Sequence, residues 1–201
     1  ALIDAIRQGK LHASIELVVV DRPGAYAVTR AEAAGIPTLV FNPRDFATKS
    51  AYEELIAAKL GELDVEYLVL AGYMRLIGPT LLTKYPQRII NIHPSLLPLF
   101  PGKDGIGQAL KAGAQETGVT IHYVDEGMDT GPIIAQEQII IRPGEERGSL
   151  ERRIHQIEHD LYPRVLEEIF QAKRRSNMAR RALISVSNKE GLVEFATELA
   201  E

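Results

Sequence analysis

Short, largely apolar runs alternate with amphipathic stretches along most of the chain. Most of the apolar runs end at glycine, proline or aspartate, as expected of buried strands that lead into turns. They lie at 15–20, 37–41, 66–71 and 88–91. Between them, apolar residues recur at helical spacing, as in the stretch from Tyr52 to Leu63. Strands that are apolar throughout and alternate with helices predict a parallel sheet covered on both faces.

The pattern changes after Asn91, where three prolines within a few residues indicate a loop. The next predicted elements are a helix and two strands, at 106–114, 118–124 and 133–141. Apolar residues from Leu150 to Val165 then mark a long helix, which Pro163 is expected to bend. We therefore expect a doubly wound, mostly parallel α/β sheet with the active site at the carboxyl ends of its strands.

Composition narrows the class of protein and of partner. The 201 residues are 45% hydrophobic and 25% charged, which is typical of a globular domain of moderate size. The net charge of −4 argues against a nucleic-acid partner. The chain has no cysteine, which excludes disulfides and Cys-ligated metals and favours a cytoplasmic protein. No apolar run approaches the ~20 residues of a membrane span, so we expect small-molecule substrates and no membrane partner.

Asn91 and His93 form the first candidate for chemistry. They stand two apart at the end of a predicted strand, so their side chains project to the same side. An amide donor beside an imidazole suits a reaction that builds an oxyanion and moves a proton. The alternative is a surface histidine next to a turn, which is the commoner situation for a lone histidine.

The second candidate is the acidic stretch from Val124 to Pro132, which holds Asp125, Glu126 and Asp129 among glycines. A carboxylate close to an imidazole would favour the charged imidazolium. The alternative is a solvated turn, because aspartate and glycine dominate turns.

Two further patterns suggest other functions. His155 and His159 are four apart, a spacing that suits zinc on a helix, but no zincin glutamate or third ligand accompanies them. The basic run from Lys173 to Arg181 suggests either an RNA contact or a solvated linker. We expect that His155 and His159 bind no metal. We expect the basic run to be a solvated linker.

The motifs together resemble the folate-dependent formyltransferases. The stretch Asn91 to Pro98 (Asn-Ile-His-Pro-Ser-Leu-Leu-Pro), followed by Asp129 to Pro132 (Asp-Thr-Gly-Pro), is similar to the signature of that superfamily. The stretches 70–75 and 158–163 extend the match, which runs from Ala1 to about Lys173. Within the superfamily, Thr120-Ile121-His122-Tyr123-Val124 looks most like the glycinamide ribonucleotide formyltransferases.

This resemblance implies formyl transfer from 10-formyltetrahydrofolate to the amine of glycinamide ribonucleotide, a step of purine biosynthesis. It implies that Asn91 binds the oxyanion, that His93 donates the proton and that Asp129 orients His93. Two alternatives remain open at this point: a formyltetrahydrofolate hydrolase, with water as the acceptor, and an inactive fragment.

The resemblance also implies the binding residues. Those for the folate cosubstrate are Lys49, Met74, Arg75, Leu76, Ile77, Asn91, Asp125, Glu126, Gly127, Met128 and Asp129. Those for glycinamide ribonucleotide are His155, Gln156, Ile157 and Glu158. Among the latter, Glu158 is expected to bind the ribose.

The chain departs from the family before the first predicted helix. Family members begin with an apolar strand and a Gly-Ser-Gly-type loop that binds the substrate phosphate. In this chain the helix starts at Ala1. We expect the absent strand to be internal to the sheet, so that its neighbours have unpaired edges. We also expect weak binding of glycinamide ribonucleotide.

The C-terminal stretch resembles a different family. Met178 to Gly191 is similar to the start of the bifunctional aminoimidazole carboxamide ribonucleotide formyltransferase/IMP cyclohydrolases, which also act in purine synthesis. We expect a formyltransferase domain over 1–173, a basic linker over 174–181 and the start of a second α/β unit over 182–201. In this last stretch, 181–187 is strand-like and 191–200 has a helical pattern.

Overall fold

Seven strands form one sheet with helices packed on both faces. The computed structural model describes residues 1–176 and 181–185. The helices are α1 (Leu2–Arg7), α2 (Tyr26–Ala33), α3 (Lys49–Glu62), α4 (Pro79–Lys84), α5 (Gly105–Lys111) and α6 (Arg147–Ser176). The strands are β1 (Ser14–Val20), β2 (Thr38–Val40), β3 (Tyr67–Ala71), β4 (Ile89–His93), β5 (Glu116–Tyr123), β6 (Ile133–Ile140) and β7 (Arg181–Ser185).

The order of the strands in the sheet is β2-β1-β7-β3-β4-β5-β6. The pairs from β2 to β4 are parallel, whereas β5 is antiparallel to both β4 and β6. This arrangement confirms the predicted class, a mostly parallel α/β sheet. The crossovers between parallel strands place helices on its faces.

Alternation along the strands divides the core into two layers. In β3, Leu68 and Leu70 belong to the apolar cluster formed with α3 and α4. Tyr67 and Val69 belong to the cluster formed with α1, α5 and α6. The residues of β1 alternate in the same way, and one set of them packs against α2. β3 and the second half of β1 are therefore buried on both faces, which explains why their residues are apolar.

Tyr162 ties α6 to the two strands on which the cleft is built. Its side chain is buried, and its hydroxyl lies 2.8 Å from the carbonyl oxygen of Leu70 and 3.0 Å from that of Ile90. Burial, followed by the nearby charge of Glu158, raises the pKa of Tyr162 well above its ordinary value. The phenol therefore stays protonated and able to donate.

The predicted elements agree closely with the observed ones. Each strand predicted between residues 15 and 141 lies within two residues of its observed bounds. The long helix extends further than predicted, through Ser176, and includes Pro163. Most of the range 174–201 lies outside the described residues, including the predicted helix at 191–200, so the division into domains stays a prediction.

The expectation of unpaired edges next to an absent central strand was wrong. β7 lies between β1 and β3 and is parallel to both. Leu183 stands opposite Leu17 on one side and Leu68 on the other. The backbone groups of Arg181–Ser185 therefore pair with those that would otherwise lie at two edges.

The C-terminal part of α6 lies close to the amino end of β7. The rings of Phe170 and Tyr67 are 5.0 Å apart, and the ammonium nitrogen of Lys173 lies 5.2 Å from the Tyr67 centroid. Tyr67 is also the residue of β3 that stands opposite Ala182 of β7. The helix thus ends beside the place where β7 begins.

Replacing Leu183 by proline should destabilise the whole sheet. Proline has no N–H and leaves a ladder acceptor unpaired in a sheet that is covered on both faces, at a cost of about 1–3 kcal/mol. Each kcal/mol lowers Tm by roughly 2–4 °C in a chain of this size. Thermal unfolding and amide hydrogen exchange measure the effect, with Leu183→Ile as the control that keeps the N–H. Unchanged Tm and unchanged protection of β1 and β3 amides would show that β7 is dispensable.

Candidate active site

A cleft opens at the carboxyl ends of β3 and β4, as expected for an open α/β sheet. Its walls are formed by residues 72–77 after β3, by 91–94 and 102–104 around the end of β4, and by 127–129 between β5 and β6. Its cavity volume is about 150 Å³, and the cleft continues into open solvent.

One side of the cleft is apolar. Met74, Leu76 and Met128 line it, and each is about half exposed. Thioether and aliphatic side chains that stand in solvent at the mouth of a cleft provide an adaptable surface for a flat ring system. The same cleft is also lined by Asn91, His93 and Asp129, so it suits a ligand that is part aromatic and part polar.

The carboxylate of Asp129 joins the polar groups of the cleft. One of its oxygens lies 3.4 Å from His93 Nδ1 and accepts the N–H of Gly102 at 2.7 Å. The other oxygen lies 3.5 Å from His122 Nε2. The side chain is only 12% exposed. Asp129 and Gly102 both have positive φ angles, 56° and 75°. Glycine adopts such angles freely, and aspartate adopts them more readily than most residues.

Asp129 is held in its ionised form. Burial raises the pKa of its carboxyl, but the hydrogen bonds from His122 and from the Gly102 N–H, together with the charge of His93, lower it further. The net result is a pKa below the ordinary value. At neutral pH the cleft therefore contains a fixed negative charge beside two imidazoles.

His93 is held on both of its ring nitrogens. Nε2 lies 2.8 Å from the carbonyl oxygen of Phe100, which can only accept, so Nε2 carries a hydrogen. Nδ1 faces Asp129. The protonated ring therefore finds an acceptor on each side, an arrangement that suits a proton donor. Phe100 adopts a φ of 56°, which costs a bulky residue of the order of 1–3 kcal/mol, so the position of its carbonyl is maintained against local strain.

The loop after β4 is fastened to β5 by Thr120. The Thr120 hydroxyl donates to the carbonyl of Ser95 at 2.6 Å and accepts the N–H of Leu97 at 3.0 Å. Gln136 on β6 donates to the same hydroxyl and to the Leu97 carbonyl. The peptide between Leu97 and Pro98 is cis. These bonds determine where the loop, and hence the Phe100 carbonyl, lies relative to His93.

His122 orients the amide of Asn91. The two residues are direct cross-strand neighbours, and Nε2 of His122 lies 3.2 Å from Nδ2 of Asn91. His122 Nδ1 donates to the carbonyl of Tyr123 at 2.8 Å. In the neutral ring, Nε2 accepts one N–H of Asn91, which leaves the other N–H for a ligand. In the protonated ring, Nε2 donates to Asp129 instead.

The sequence assigned no role to His122, nor to the backbone groups of Phe100 and Gly102. Only the pairing register shows that His122 stands opposite Asn91. Predicting a strand from its sequence does not show which residues of the neighbouring strand stand opposite it.

Some of the predicted binding residues meet in the cleft and others do not. Besides Asn91, His93 and Asp129, the lining includes the predicted folate residues Met74, Arg75, Leu76, Ile77, Gly127 and Met128. Three others lie outside it, namely Lys49, Asp125 and Glu126. The carboxylate of Asp125 accepts the N–H of Gly127 and the hydroxyl of Thr130, and so shapes the turn that carries Asp129.

The residues expected to bind glycinamide ribonucleotide lie on α6 and also outside this lining. They are His155, Gln156, Ile157 and Glu158. His155 Nε2 and a carboxylate oxygen of Glu158 are 3.9 Å apart, and the Glu158 side chain is 8% exposed.

Neither a metal centre nor a membrane span is found in the part of the chain that the structure describes. Across residues 1–176 and 181–185, no three His, Cys, Asp or Glu side chains are placed to hold a metal ion together. The described helices include none with the length and apolar character needed to cross a membrane.

Comparison with known proteins identifies the family to which this site belongs. Residues 1–166 match the family described as formyl transferase. The chain belongs to the formyl transferase family. A relative in this family, the phosphoribosylglycinamide formyltransferase of Bacillus subtilis, is 48% identical over 179 residues, which cover 89% of this chain and 92% of that protein.

Solved structures of other members of the formyl transferase family have the same fold. The glycinamide ribonucleotide transformylase 1 of Geobacillus kaustophilus is 56% identical, with a TM-score of 0.82 and coverage of 84% of this chain and 89% of that chain. The phosphoribosylglycinamide formyltransferase of Bacillus halodurans is 46% identical, with a TM-score of 0.83 and coverage of 86% and 89%.

Replacing Asp129 by asparagine should destabilise this formyltransferase in a pH-dependent way. The folded-state pKa lies below the unfolded value, so the carboxylate contributes stability above the unfolded pKa. This contribution is lost as the pH falls through the folded pKa. We expect the Tm of Asp129→Asn to be lower than that of the unmodified chain at pH 7, and the difference to shrink as the pH is lowered below about 4. Asp160→Asn, an exposed change on α6, is the control. A Tm difference that stays constant across the pH series would contradict an ionised Asp129.

Proposed function

We propose that the chain transfers the formyl group of 10-formyltetrahydrofolate to the amine of glycinamide ribonucleotide, a step of purine biosynthesis. The observation that carries this proposal is the meeting of Asn91, His93 and Asp129 at the carboxyl end of β4 in a formyl transferase. The names of the relatives at 46–56% identity support the choice of acceptor. We place the reaction in the cytoplasm.

The proposed reaction begins with attack of the substrate amine on the formyl carbon. A C–N bond forms, and the electron pair of the carbonyl moves to its oxygen. An N–H of the Asn91 side-chain amide, which lines the cleft, would donate to this oxyanion. Because the amine is the nucleophile, no covalent intermediate with the protein is needed.

Collapse of the intermediate then breaks the bond between the formyl carbon and the folate nitrogen. The departing nitrogen requires a proton, which His93 supplies from its imidazolium form. The attacking amine loses a proton to the neutral imidazole that His93 has become, which restores the imidazolium, so the products are the formylated amine and tetrahydrofolate. Asp129 and the Phe100 carbonyl support this role, because each lies beside one ring nitrogen of His93 and fixes the orientation of the ring.

The apolar side of the cleft is where we place the rings of the folate. Met74, Leu76 and Met128 would contact them, and backbone groups of 74–77 and 125–129 would bind their polar edges. Asn91 would bind the formyl oxygen. We retain Lys49, Arg75, Asp125 and Glu126 as further folate contacts.

For glycinamide ribonucleotide, we propose that the segment from His155 to Glu158 binds the sugar, with Glu158 on the ribose hydroxyls. The Glu158 carboxylate is largely buried on α6, so a hydroxyl that reached it would meet an acceptor with little competition from water. We propose no metal for the reaction, since the amine is itself the nucleophile.

An assay with and without the acceptor tests the reaction. Purified protein is mixed with 10-formyltetrahydrofolate, and tetrahydrofolate and formate are measured in the presence and absence of glycinamide ribonucleotide. We expect acceptor-dependent formation of tetrahydrofolate without free formate. Formate release in the absence of the acceptor would instead indicate a hydrolase, and no turnover in either case would rule out both activities.

Replacing Asn91 by alanine should lower kcat by about 10²–10³, because one oxyanion donor is lost. The fold should remain, since Asn91 is only partly buried. Steady-state kinetics measures the change, and circular dichroism checks the fold. Asn42→Ala is the matched control, because Asn42 caps a short 3₁₀ turn outside the cleft and should leave kcat close to that of the unmodified chain. An Asn91→Ala variant with full activity would remove Asn91 from the mechanism.

A further inference from the structure

The segment between β3 and α4 forms one wall of the cleft, and side chains from other elements bind it at two points. Residues 72–77 line the cleft. Within this segment, Arg75 Nε donates to a carboxylate oxygen of Asp21 at 2.7 Å. At its end, the N–H of Gly78 donates to Oε1 of Glu53 at 2.6 Å. Asp21 and Glu53 are both buried, so the wall is anchored by two carboxylates that lie beneath the surface.

Glu53 was not among the site residues predicted from the sequence. It lies on α3, is 1% exposed and reaches across to the start of α4. A buried carboxylate is costly unless it accepts hydrogen bonds or faces a cation. Here the Gly78 N–H supplies the hydrogen bond, and Lys49, one turn earlier on α3, places its ammonium nitrogen 3.9 Å from Oε1.

The glycine at position 78 is explained by this carboxylate. A Cβ atom on Gly78 would lie 2.6 Å from one oxygen of Glu53 and 2.9 Å from the other. The φ angle of Gly78 is −94°, which any residue adopts, so backbone conformation does not require glycine here. A Cβ at this position would instead displace the end of the Glu53 side chain.

Glu53 accepts the N–H of Gly78, which is the N-cap residue of α4. In a capping box, a glutamate or glutamine at the third position of the helix accepts this N–H. In α4 that position is Leu81, which cannot accept. Because the accepting carboxylate comes from α3 instead, the start of α4 and the wall that precedes it are tied to a distant element rather than to their own sequence.

We propose that Glu53 is a positioning residue for the folate wall: its buried carboxylate fixes Gly78, and through it residues 74–77, relative to Asn91 and His93. The same carboxylate faces Lys49, so it also sets where that proposed folate contact lies. This inference rests on the proposed function, because it assigns the wall to the folate. Glu53 acts through the backbone and touches no reacting atom.

The first test separates positioning from general stability. We expect Glu53→Ala to raise the KM for 10-formyltetrahydrofolate by about tenfold or more, the equivalent of one lost bond to a charged group. The KM for glycinamide ribonucleotide and kcat should change much less. Glu53→Gln keeps the shape and an accepting oxygen, so it should recover part of the loss. Glu54→Gln, an exposed change on the same helix, should leave both KM values unaltered.

A merely structural role predicts a different result. Glu53→Ala would then lower Tm and the amount of active protein, and both KM values would stay unchanged. That outcome would overturn the proposal. If Glu53→Ala does not fold, Glu53→Gln and the variant described next still provide the comparison.

The second test is a double-mutant cycle on the contact itself. Gly78→Ala alone should raise the KM for the folate, because its Cβ displaces the carboxylate. In the Glu53→Ala background the same change should cost much less, because the obstructing oxygens are gone. Equal costs in the two backgrounds would show that the contact does not set the wall, and would also overturn the proposal.

A binding measurement keeps this inference distinct from the proposed reaction. Calorimetric titration with folic acid gives a Kd that does not depend on turnover. Absence of formyl transfer by the unmodified chain would contradict the proposed function, and the Kd ratio between Glu53→Ala and Glu54→Gln would still test Glu53. A ratio near one would count against Glu53, whatever the activity.

Discussion

The carboxylate of Asp129 is the constraint on which the geometry of the cleft depends. Its partners come from three parts of the chain: His93 at the end of β4, His122 on β5 and the Gly102 N–H in the loop between them. A buried carboxylate is tolerated only when such donors surround it. Because the donors are of different kinds and fixed in length, few arrangements of the three segments satisfy them together. The contacts that hold the buried charge of Asp129 therefore also bring His93 and His122 together.

The fold could be predicted from the sequence to the extent that it follows from local patterning. The apolar runs identified the strands, and their lack of alternation indicated burial on both faces, as in β3. The order of the strands could not be obtained in this way, because register and neighbours depend on contacts between distant segments. The position of Arg181–Ser185 is the clearest case: it read correctly as strand-like, yet its place beside Leu17 and Leu68 was not expected.

The candidate site could be predicted in part, for a related reason. Asn91 and His93 were found because two residues of one strand, two apart, share a face. Asp129 was found only through resemblance, because an acidic turn has no local feature that distinguishes it from a solvated one. His122 and Glu53 could not be found, because each acts on a group far away in the sequence. The Phe100 carbonyl could not be found either, because a backbone group has no signature in the sequence.

The central place of β7 has a consequence for how the molecule is assembled on the ribosome. Synthesis proceeds from the amino end, so β1 and β3 leave the ribosome long before Arg181, and the thirty residues of α6 come in between. Among the described strands, β7 joins two groups, β2-β1 and β3-β4-β5-β6. Closing the long loop between Val20 and Arg181 is entropically unfavourable and therefore late. The pairing of β7 with β1 and β3 is thus expected among the last steps of assembly.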